Sequence, residues 1–315
     1  MRLARAARSG GPASGSPPLR RLATALVAAL GLVAALAGCG NGSAAAGPAG
    51  PLRIGAIPDQ DPEVLQRLHG TVADSLSEEL GIDVEYVPVT DYAAAVSLFR
   101  TGDLDLVWFG GLTGVQARLQ TPGSVPIAQR DIDQEFHSVF VVNAATGLAP
   151  SDDLRPLAGL RFTYGSETST SGRLMPAWFL AEQGVDPEGF PGGPGFAGSH
   201  DATLALVASG SYEAGVLNEQ VYEAREAAGE IDPAVVRYAR TPAYSDYHWL
   251  LGPDAVERWG EDLPERLTAY FTGLSSDDPR DAAVLDLFGA GAFIPTEAAN
   301  YRQIEEIGRD LGLVN

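Results

Sequence analysis

Residues 52–87 read LRIGAIPDQDPEVLQRLHGTVADSLSEELGIDVEYV, and this stretch decides the fold. Its first part, 52–57, alternates as a half-buried strand does, whereas 62–80 places apolar side chains at helical spacing. Gly81 is a typical helix end, and 82–87 predicts a second strand. A strand, a helix and a second strand in this order predict a parallel sheet covered by helices.

The same alternation continues along the chain and then starts again. A polar, turn-rich segment at 143–156 separates the two series, and the chain becomes mostly helical from residue 243 onward. We therefore predict an α/β fold with two lobes, a cleft at the hinge between them and a helical C-terminal segment that packs on the first lobe. The predicted lobes are 52–143 plus 244–315 (lobe 1) and 144–243 (lobe 2).

The first 51 residues have the composition of an export leader and a linker. Five arginines precede an apolar run at 22–37, which ends in Leu-Ala-Gly-Cys at 36–39. This pattern predicts a lipoprotein signal peptide over 1–38 and a lipid on Cys39, the only cysteine of the chain. Residues 39–51 predict a flexible tether. The alternative is an uncleaved anchor in which the cysteine occurs by chance.

The charge of the chain argues against several classes of function. The formal net charge is −20, and −25 once the five leader arginines are removed, so the basic surface that nucleic-acid binding requires is absent. The four histidines lack metal-ligand spacing, and no nucleophile elbow or phosphate loop is present. We predict a protein that is not an enzyme and uses no metal or cofactor.

A polar turn at residues 164–174, YGSETSTSGRL, is the strongest candidate for a binding site. Ser169, Thr170 and Ser171 precede a helix, where free N–H groups, the helix dipole and three hydroxyls can hold an anion without a cation. The alternative is that Ser169 or Ser171 only caps the helix. Pro176 is expected to kink this helix or shorten its regular part.

Several motifs together resemble the phosphate, phosphite and phosphonate-binding proteins of ABC importers. The resemblance spans nearly all of the chain after the leader, and it implies the fold of a type II periplasmic binding protein. The motifs are IGAIP at 54–58, VTDY at 89–92, DLVWFG at 105–110, STSG at 169–172, GSHD at 198–201 and PAYSDY at 242–247.

The resemblance also implies which residues contact the ligand. Tyr92 matches a tyrosine that bonds the anion, residues 169–171 match the oxyanion cradle, and His200 matches a histidine at the cleft. Asp246 matches an acidic residue opposite the cradle, which accepts a proton from the ligand or pairs with an amine. Each has a structural alternative: an aromatic packed at a helix start for Tyr92, a satisfied histidine for His200 and a turn aspartate for Asp246.

Two departures from the family pattern bear on the ligand. Gln220 stands where aminophosphonate binders have a glutamate that holds the ligand ammonium, and Phe136 stands where they have a second tyrosine. Aminoalkylphosphonates are therefore disfavoured. The stretch WFGGLTGVQA at 108–117 resembles a branch described as selenate-binding. Contacts from Gly110 or His137 are left open.

We thus predict an extracytoplasmic, lipid-anchored protein that captures a small oxyanion (phosphate, phosphite, phosphonate or selenate type). Its predicted partners are the permease and ATPase subunits of an ABC importer. The alternatives are a ligand-sensing lipoprotein of a signalling system and a binding protein for another small organic anion.

Overall fold

The computed structural model describes residues 50–314, so the predicted signal peptide, Cys39 and nearly all of the tether lie outside the described part. The strands are β1 Leu52–Ala56, β2 Val84–Tyr86, β3 Leu106–Phe109, β4 Val125–Pro126, β5 Ala128–Arg130, β6 Ser138–Asn143, β7 Phe162–Tyr164, β8 Gly195–Phe196, β9 Ala214–Asn218, β10 Val235–Arg240, β11 His248–Leu251 and β12 Phe293–Pro295. The α-helices are α1 Pro62–Leu80, α2 Tyr92–Arg100, α3 Gly111–Gln120, α4 Met175–Glu182, α5 His200–Ala208, α6 Glu219–Ala227, α7 Pro253–Trp259, α8 Leu263–Gly273, α9 Pro279–Phe288 and α10 Arg302–Asp310.

The two lobes contain five-stranded sheets of the same topology. The first sheet has the order β2-β1-β3-β11-β4, and the second has the order β8-β7-β9-β6-β10. In each sheet the fourth strand, β11 or β6, is antiparallel to both neighbours. That strand is the first one that the chain forms after crossing from the other lobe. The predicted two-lobed α/β class is confirmed.

The chain crosses between the lobes in two adjacent segments that bond to each other. Phe136 and Tyr244 exchange backbone hydrogen bonds of 2.8 and 3.0 Å. The prediction assigned 138–143 to the first lobe, but this strand pairs with β9 and β10 of the second sheet. All six of its residues are buried, and its apolar run fits the middle of either sheet, so sequence alone could not assign it. Below, lobe 1 denotes 52–137 plus 241–314, and lobe 2 denotes 138–240.

Local sequence signals position the helices around the cleft. Asp61 and Asp91 cap α1 and α2 by accepting hydrogen bonds from backbone N–H groups, and Gly81 ends α1 with φ 66°. Helices α8, α9 and α10 pack on lobe 1, as expected for the C-terminal segment. Within residues 50–314, no helix is long and apolar enough to cross a membrane.

The Ser-Thr-Ser segment does begin a helix, and it does so through an unusual turn. Ser169 is the N-cap, and its Oγ accepts a 2.9 Å hydrogen bond from the Gly172 N–H. Residues 170–174 form one wide π-helical turn, and regular α-helix begins only at Met175. Because Pro176 has no N–H to donate, the regular part of the helix is short, as expected.

Candidate functional site

Two helix starts, one from each lobe, meet between the lobes. Thr170 of lobe 2 accepts a 2.9 Å hydrogen bond through Oγ1 from the N–H of Leu112, in the first turn of α3 in lobe 1. Beside it, Asp246 Oδ1 accepts a 2.8 Å hydrogen bond from the N–H of Gly111. Both side chains are buried. The first N–H groups of α3 therefore bind a side chain from lobe 2 and one from the second crossing.

Gly110 makes this close approach sterically possible. A Cβ at this position would lie 3.2 Å from Asp246 Oδ1 and 3.3 Å from Thr170 Oγ1. Contacts this short would require the two side chains to shift by a few tenths of an ångström. The glycine thus allows the close approach of Thr170 and Asp246 to the start of α3.

Three buried polar atoms at this place lack a partner. Within residues 50–314, the Tyr92 hydroxyl, Ser171 Oγ and Asp246 Oδ2 have no hydrogen-bond partner of good geometry. Ser169 and Asp246 are nevertheless close enough to Tyr92 to affect the pKa of its hydroxyl, which burial holds well above its usual range. Buried polar groups are nearly always hydrogen-bonded. These three unpaired atoms belong to residues that the sequence predicts as ligand contacts, so a bound ligand would supply their missing partners.

The pKa of Asp246 lies in the physiological range. Burial raises it from 3.8 to about 7, partly offset by hydrogen bonds from the Gly111 N–H and the Thr170 hydroxyl. The carboxyl group therefore exchanges its proton near neutral pH. Protonated, it can donate to an anionic oxygen; ionised, it can accept from a ligand hydroxyl.

The two crossings support the cradle directly. Ser138, on the first crossing, donates a 2.7 Å hydrogen bond through Oγ to the backbone carbonyl of Ser171. The hydroxyl of Tyr244, on the second crossing, lies 2.6 Å from Ser138 Oγ. Because Ser138 already donates its hydrogen to Ser171, Tyr244 is the donor in this second pair. The orientation of Ser171 is thus fixed by both hinge segments.

His200 belongs to a second polar group beside the cradle. Burial lowers its pKa to about 3, so the imidazole is neutral. Its Nδ1 accepts from the Asn218 N–H at 3.4 Å, which leaves Nε2 as the donor to the Tyr247 hydroxyl, also at 3.4 Å. That hydroxyl donates in turn to Asp59 at 2.8 Å. Both ring nitrogens of His200 thus have protein partners, which fits the structural alternative.

The pKa of Asp59 is also raised. Burial brings it to about 6, and the hydrogen bond from Tyr247 partly offsets this shift. Asp59 raises the pKa of Tyr92 as well, which places this second polar group next to the cradle. Two buried carboxyl groups of shifted pKa therefore border one site.

Gln220 bonds to residues outside the cradle and lines a small cavity with Asp59, Arg130 and Tyr247. Its Oε1 accepts a hydrogen bond from Arg130, and its Nε2 donates to the carbonyl of Phe288 at 2.6 Å. Both ends of the amide are engaged by protein, so this geometry does not bring Gln220 together with Tyr92 and the Ser-Thr-Ser turn. Within residues 50–314, no cluster of side chains has the composition of a metal site.

Sequence reasoning did not single out four residues of the site. Asp59 could have been found, because it directly follows the first predicted strand at the sheet edge where ligands bind. Tyr247 lay inside one of the family motifs but had no assigned role. Ser138 and Tyr244 carry no local signal, because their function depends on how the crossings pair.

A sequence model of the family described as "ABC transporter, phosphonate, periplasmic substrate-binding protein" matches residues 54–301, most of the described chain. The chain belongs to this family. Members are substrate-binding proteins of ABC importers, so the predicted family, the extracytoplasmic setting and the absence of enzymatic activity are confirmed.

Relatives of this phosphonate-family binding protein cover most of its length. It is 48% identical over 268 residues to the probable ABC transporter phosphite binding protein PhnD1 of Prochlorococcus marinus (strain MIT 9301), covering 84% of this chain and 90% of the relative. A solved structure of PhnD1 in complex with methylphosphonate gives a TM-score of 0.81 and is covered over 98% of its chain, against 84% of this chain. The type II periplasmic binding protein fold is thereby confirmed.

A more distant relative is the phosphate-import protein PhnD of Mycolicibacterium smegmatis (strain ATCC 700084 / mc(2)155). It is 29% identical over 179 residues, which cover 52% of this chain and 54% of that protein.

Proposed function

We propose that this protein captures a small phosphorus oxyanion of the phosphite or methylphosphonate type and delivers it to the permease and ATPase of an ABC importer. The observation that carries the proposal is the set of three buried, unpartnered atoms: the Tyr92 hydroxyl, Ser171 Oγ and Asp246 Oδ2. The first two N–H groups of α3 are occupied by Asp246 and Thr170, so these three side-chain atoms are the groups that would bond the anion directly. The names of the relatives, a phosphite-binding and a phosphate-import protein, support the same ligand class.

The close packing of the cradle supports a small ligand. Gly110 has no room for a Cβ between Asp246 and Thr170, and Thr170 already bonds the opposite lobe. An aminoalkylphosphonate is disfavoured, since Gln220 is uncharged and its amide is engaged elsewhere. A long organic substituent on the ligand would have to displace the contact between Thr170 and lobe 1.

The ionisation of Asp246 supports an oxyanion that keeps a proton. Phosphate keeps a hydroxyl throughout the neutral range, and phosphite and methylphosphonate lose their last ionisable proton within it, whereas selenate and sulfate are already fully ionised there. With a pKa of about 7, Asp246 is increasingly ionised above neutral pH, and the ionised carboxylate accepts from a ligand hydroxyl but repels a ligand that has none. We therefore rank selenate, the ligand of the branch noted above, below the phosphorus oxyanions.

We also propose that the mature protein is held at the membrane by a lipid on Cys39. The leader pattern supports this: an arginine-rich start, an apolar run and a lone cysteine after Leu-Ala-Gly. In cells, the wild type should incorporate labelled fatty acid, and Cys39→Ala should not. Absence of label from the wild type, or equal label in the variant, would contradict the lipid anchor.

The ligand is tested by calorimetric titration of the mature chain, stripped of bound ligand, against phosphite, methylphosphonate, phosphate, aminoethylphosphonate, sulfate and selenate. We expect tight binding of one or more phosphorus oxyanions and weak binding of aminoethylphosphonate and selenate. If no oxyanion binds measurably, the proposed function is refuted. Tight binding of selenate alone would reverse the ranking of ligands.

A further inference from the structure

Gln220 is a lobe 2 residue whose amide binds only lobe 1 partners. It lies in the first turn of α6, and both of its hydrogen bonds cross the cleft. Its Oε1 accepts from the guanidinium of Arg130, and its Nε2 donates to the carbonyl of Phe288 at the end of α9. Arg130 also donates to that carbonyl, at 2.9 Å. Two groups of lobe 1 and one side chain of lobe 2 therefore form a closed set of bonds.

Arg130 is held rigidly and is not available as an anion clamp. Asp133 accepts hydrogen bonds from Nε at 2.9 Å and Nη2 at 2.6 Å. The guanidinium also lies over the rings of Tyr247 and Trp108, 5.0 and 5.4 Å from the ring centres. Its remaining nitrogen, Nη1, is the one that binds Gln220 and Phe288. The buried cation is thus neutralised by Asp133 and presents a fixed donor to lobe 2.

The backbone of lobe 1 is shaped to receive the amide. Gly289 follows Phe288 with φ +59°, and a Cβ at this position would collide with Nε2 of Gln220. A side chain here would therefore exclude the amide from the Phe288 carbonyl. The glycine that ends α9 also makes room for the bond between the lobes.

We propose that Gln220 is an interlobe latch: a positioning residue that stabilises the closed state without touching the ligand. The inference rests on the proposed function, since it assumes that the lobes close over an oxyanion. Because its bonds exist only when the lobes meet, the latch favours the closed state, and the apparent affinity rises with the population of that state. Gln220 thus raises the affinity for every ligand by the same factor and leaves the relative affinities of different ligands unchanged.

The test compares the wild type with Gln220→Ala and with Glu223→Gln as the matched control. Glu223 is exposed on the same helix, one turn further on, and its ion pair of 3.4 Å with Arg237 lies within lobe 2. Calorimetric titration with phosphite and with methylphosphonate should show both weakened by the same factor in Gln220→Ala, about tenfold or more, because a bond to a charged donor is lost. The control should bind as the wild type does.

Two results on affinity would overturn the latch. One is wild-type affinity in Gln220→Ala for every ligand that the wild type binds. The other is a loss confined to one ligand, which would make Gln220 a ligand contact. If the wild type itself binds no oxyanion, the proposed function fails, and the latch is then judged by the second measurement.

That second measurement is the distance between the lobes. Spin labels at Glu85→Cys on lobe 1 and Glu226→Cys on lobe 2, both exposed positions, are introduced in a Cys39→Ala background. Pulsed dipolar spectroscopy should show a larger open population in Gln220→Ala than in the otherwise identical protein with Gln220. Identical distance distributions would refute the latch whatever the ligand is, and a residue with only a local packing role in lobe 2 would not change them.

Discussion

The carboxyl group of Asp246 should make ligand affinity depend on pH, and an asparagine at this position should not. Burial raises its pKa to about 7, and its Oδ2 has no partner within 50–314. A fully ionised anion such as sulfate or selenate carries no proton, so a bond to Oδ2 requires the protonated carboxyl. At pH 8 about one-tenth of the carboxyl groups keep the proton. The affinity for sulfate or selenate should therefore fall about tenfold per pH unit above the pKa of Asp246, and it should level off below about pH 6.

The substitution that tests this reasoning is Asp246→Asn. The amide oxygen can still accept from the Gly111 N–H, as Oδ1 does at 2.8 Å, and the amide nitrogen supplies a permanent donor in place of Oδ2. The pH dependence for sulfate should therefore disappear between pH 6 and 9. At pH 8 the variant should prefer sulfate over phosphate about tenfold more than the wild type does, because phosphate still carries a hydroxyl at this pH and the variant has lost the carboxylate that accepts from it.

Calorimetric titrations of both proteins at pH 6, 7, 8 and 9 measure these slopes, with competition against the tightest ligand where sulfate is weak. Wild-type affinity for sulfate that stays constant over this range would refute the role of Asp246, as would an equal slope in Asp246→Asn.

Thermal unfolding of the ligand-free proteins is an independent check. A carboxyl whose pKa is raised from 3.8 to about 7 costs stability as pH rises through that interval, so Asp246→Asn should gain more stability relative to the wild type at pH 8 than at pH 5.

The other predictions concern the cradle and are read out by the same titration. Thr170→Val should weaken binding of phosphite at least tenfold, because valine keeps the shape but removes the acceptor of the Leu112 N–H and the hydroxyl that bonds Asp246; unchanged affinity would disprove the cradle. Gly110→Ala should weaken binding about tenfold or more, because the added Cβ crowds Asp246 within lobe 1 and Thr170 where the lobes meet; unchanged affinity would show that the cradle tolerates the added methyl group.

Much of the fold followed from local patterns. The strand and helix series around Gly81 was readable because apolar spacing and helix-ending glycines act within a few residues. The lobe to which β6 belongs could not be predicted, because its six buried residues suit either sheet and its partners β9 and β10 lie far along the chain. Local propensity carries no information about which distant strand a buried strand joins.

The sequence by itself determined the α/β alternation and the helix start at Ser169, which caps its helix through a contact within three residues. The leader and the anion-holding role of this turn stay predictions. Only the tertiary structure decided the roles of Gln220, His200 and Asp246. Gln220 engages Arg130, ninety positions away, and His200 bonds Tyr247 across the cleft. The pKa of Asp246 depends on burial between two lobes. Each of these properties arises from the dielectric and the partners that distant segments supply, and no local pattern encodes them.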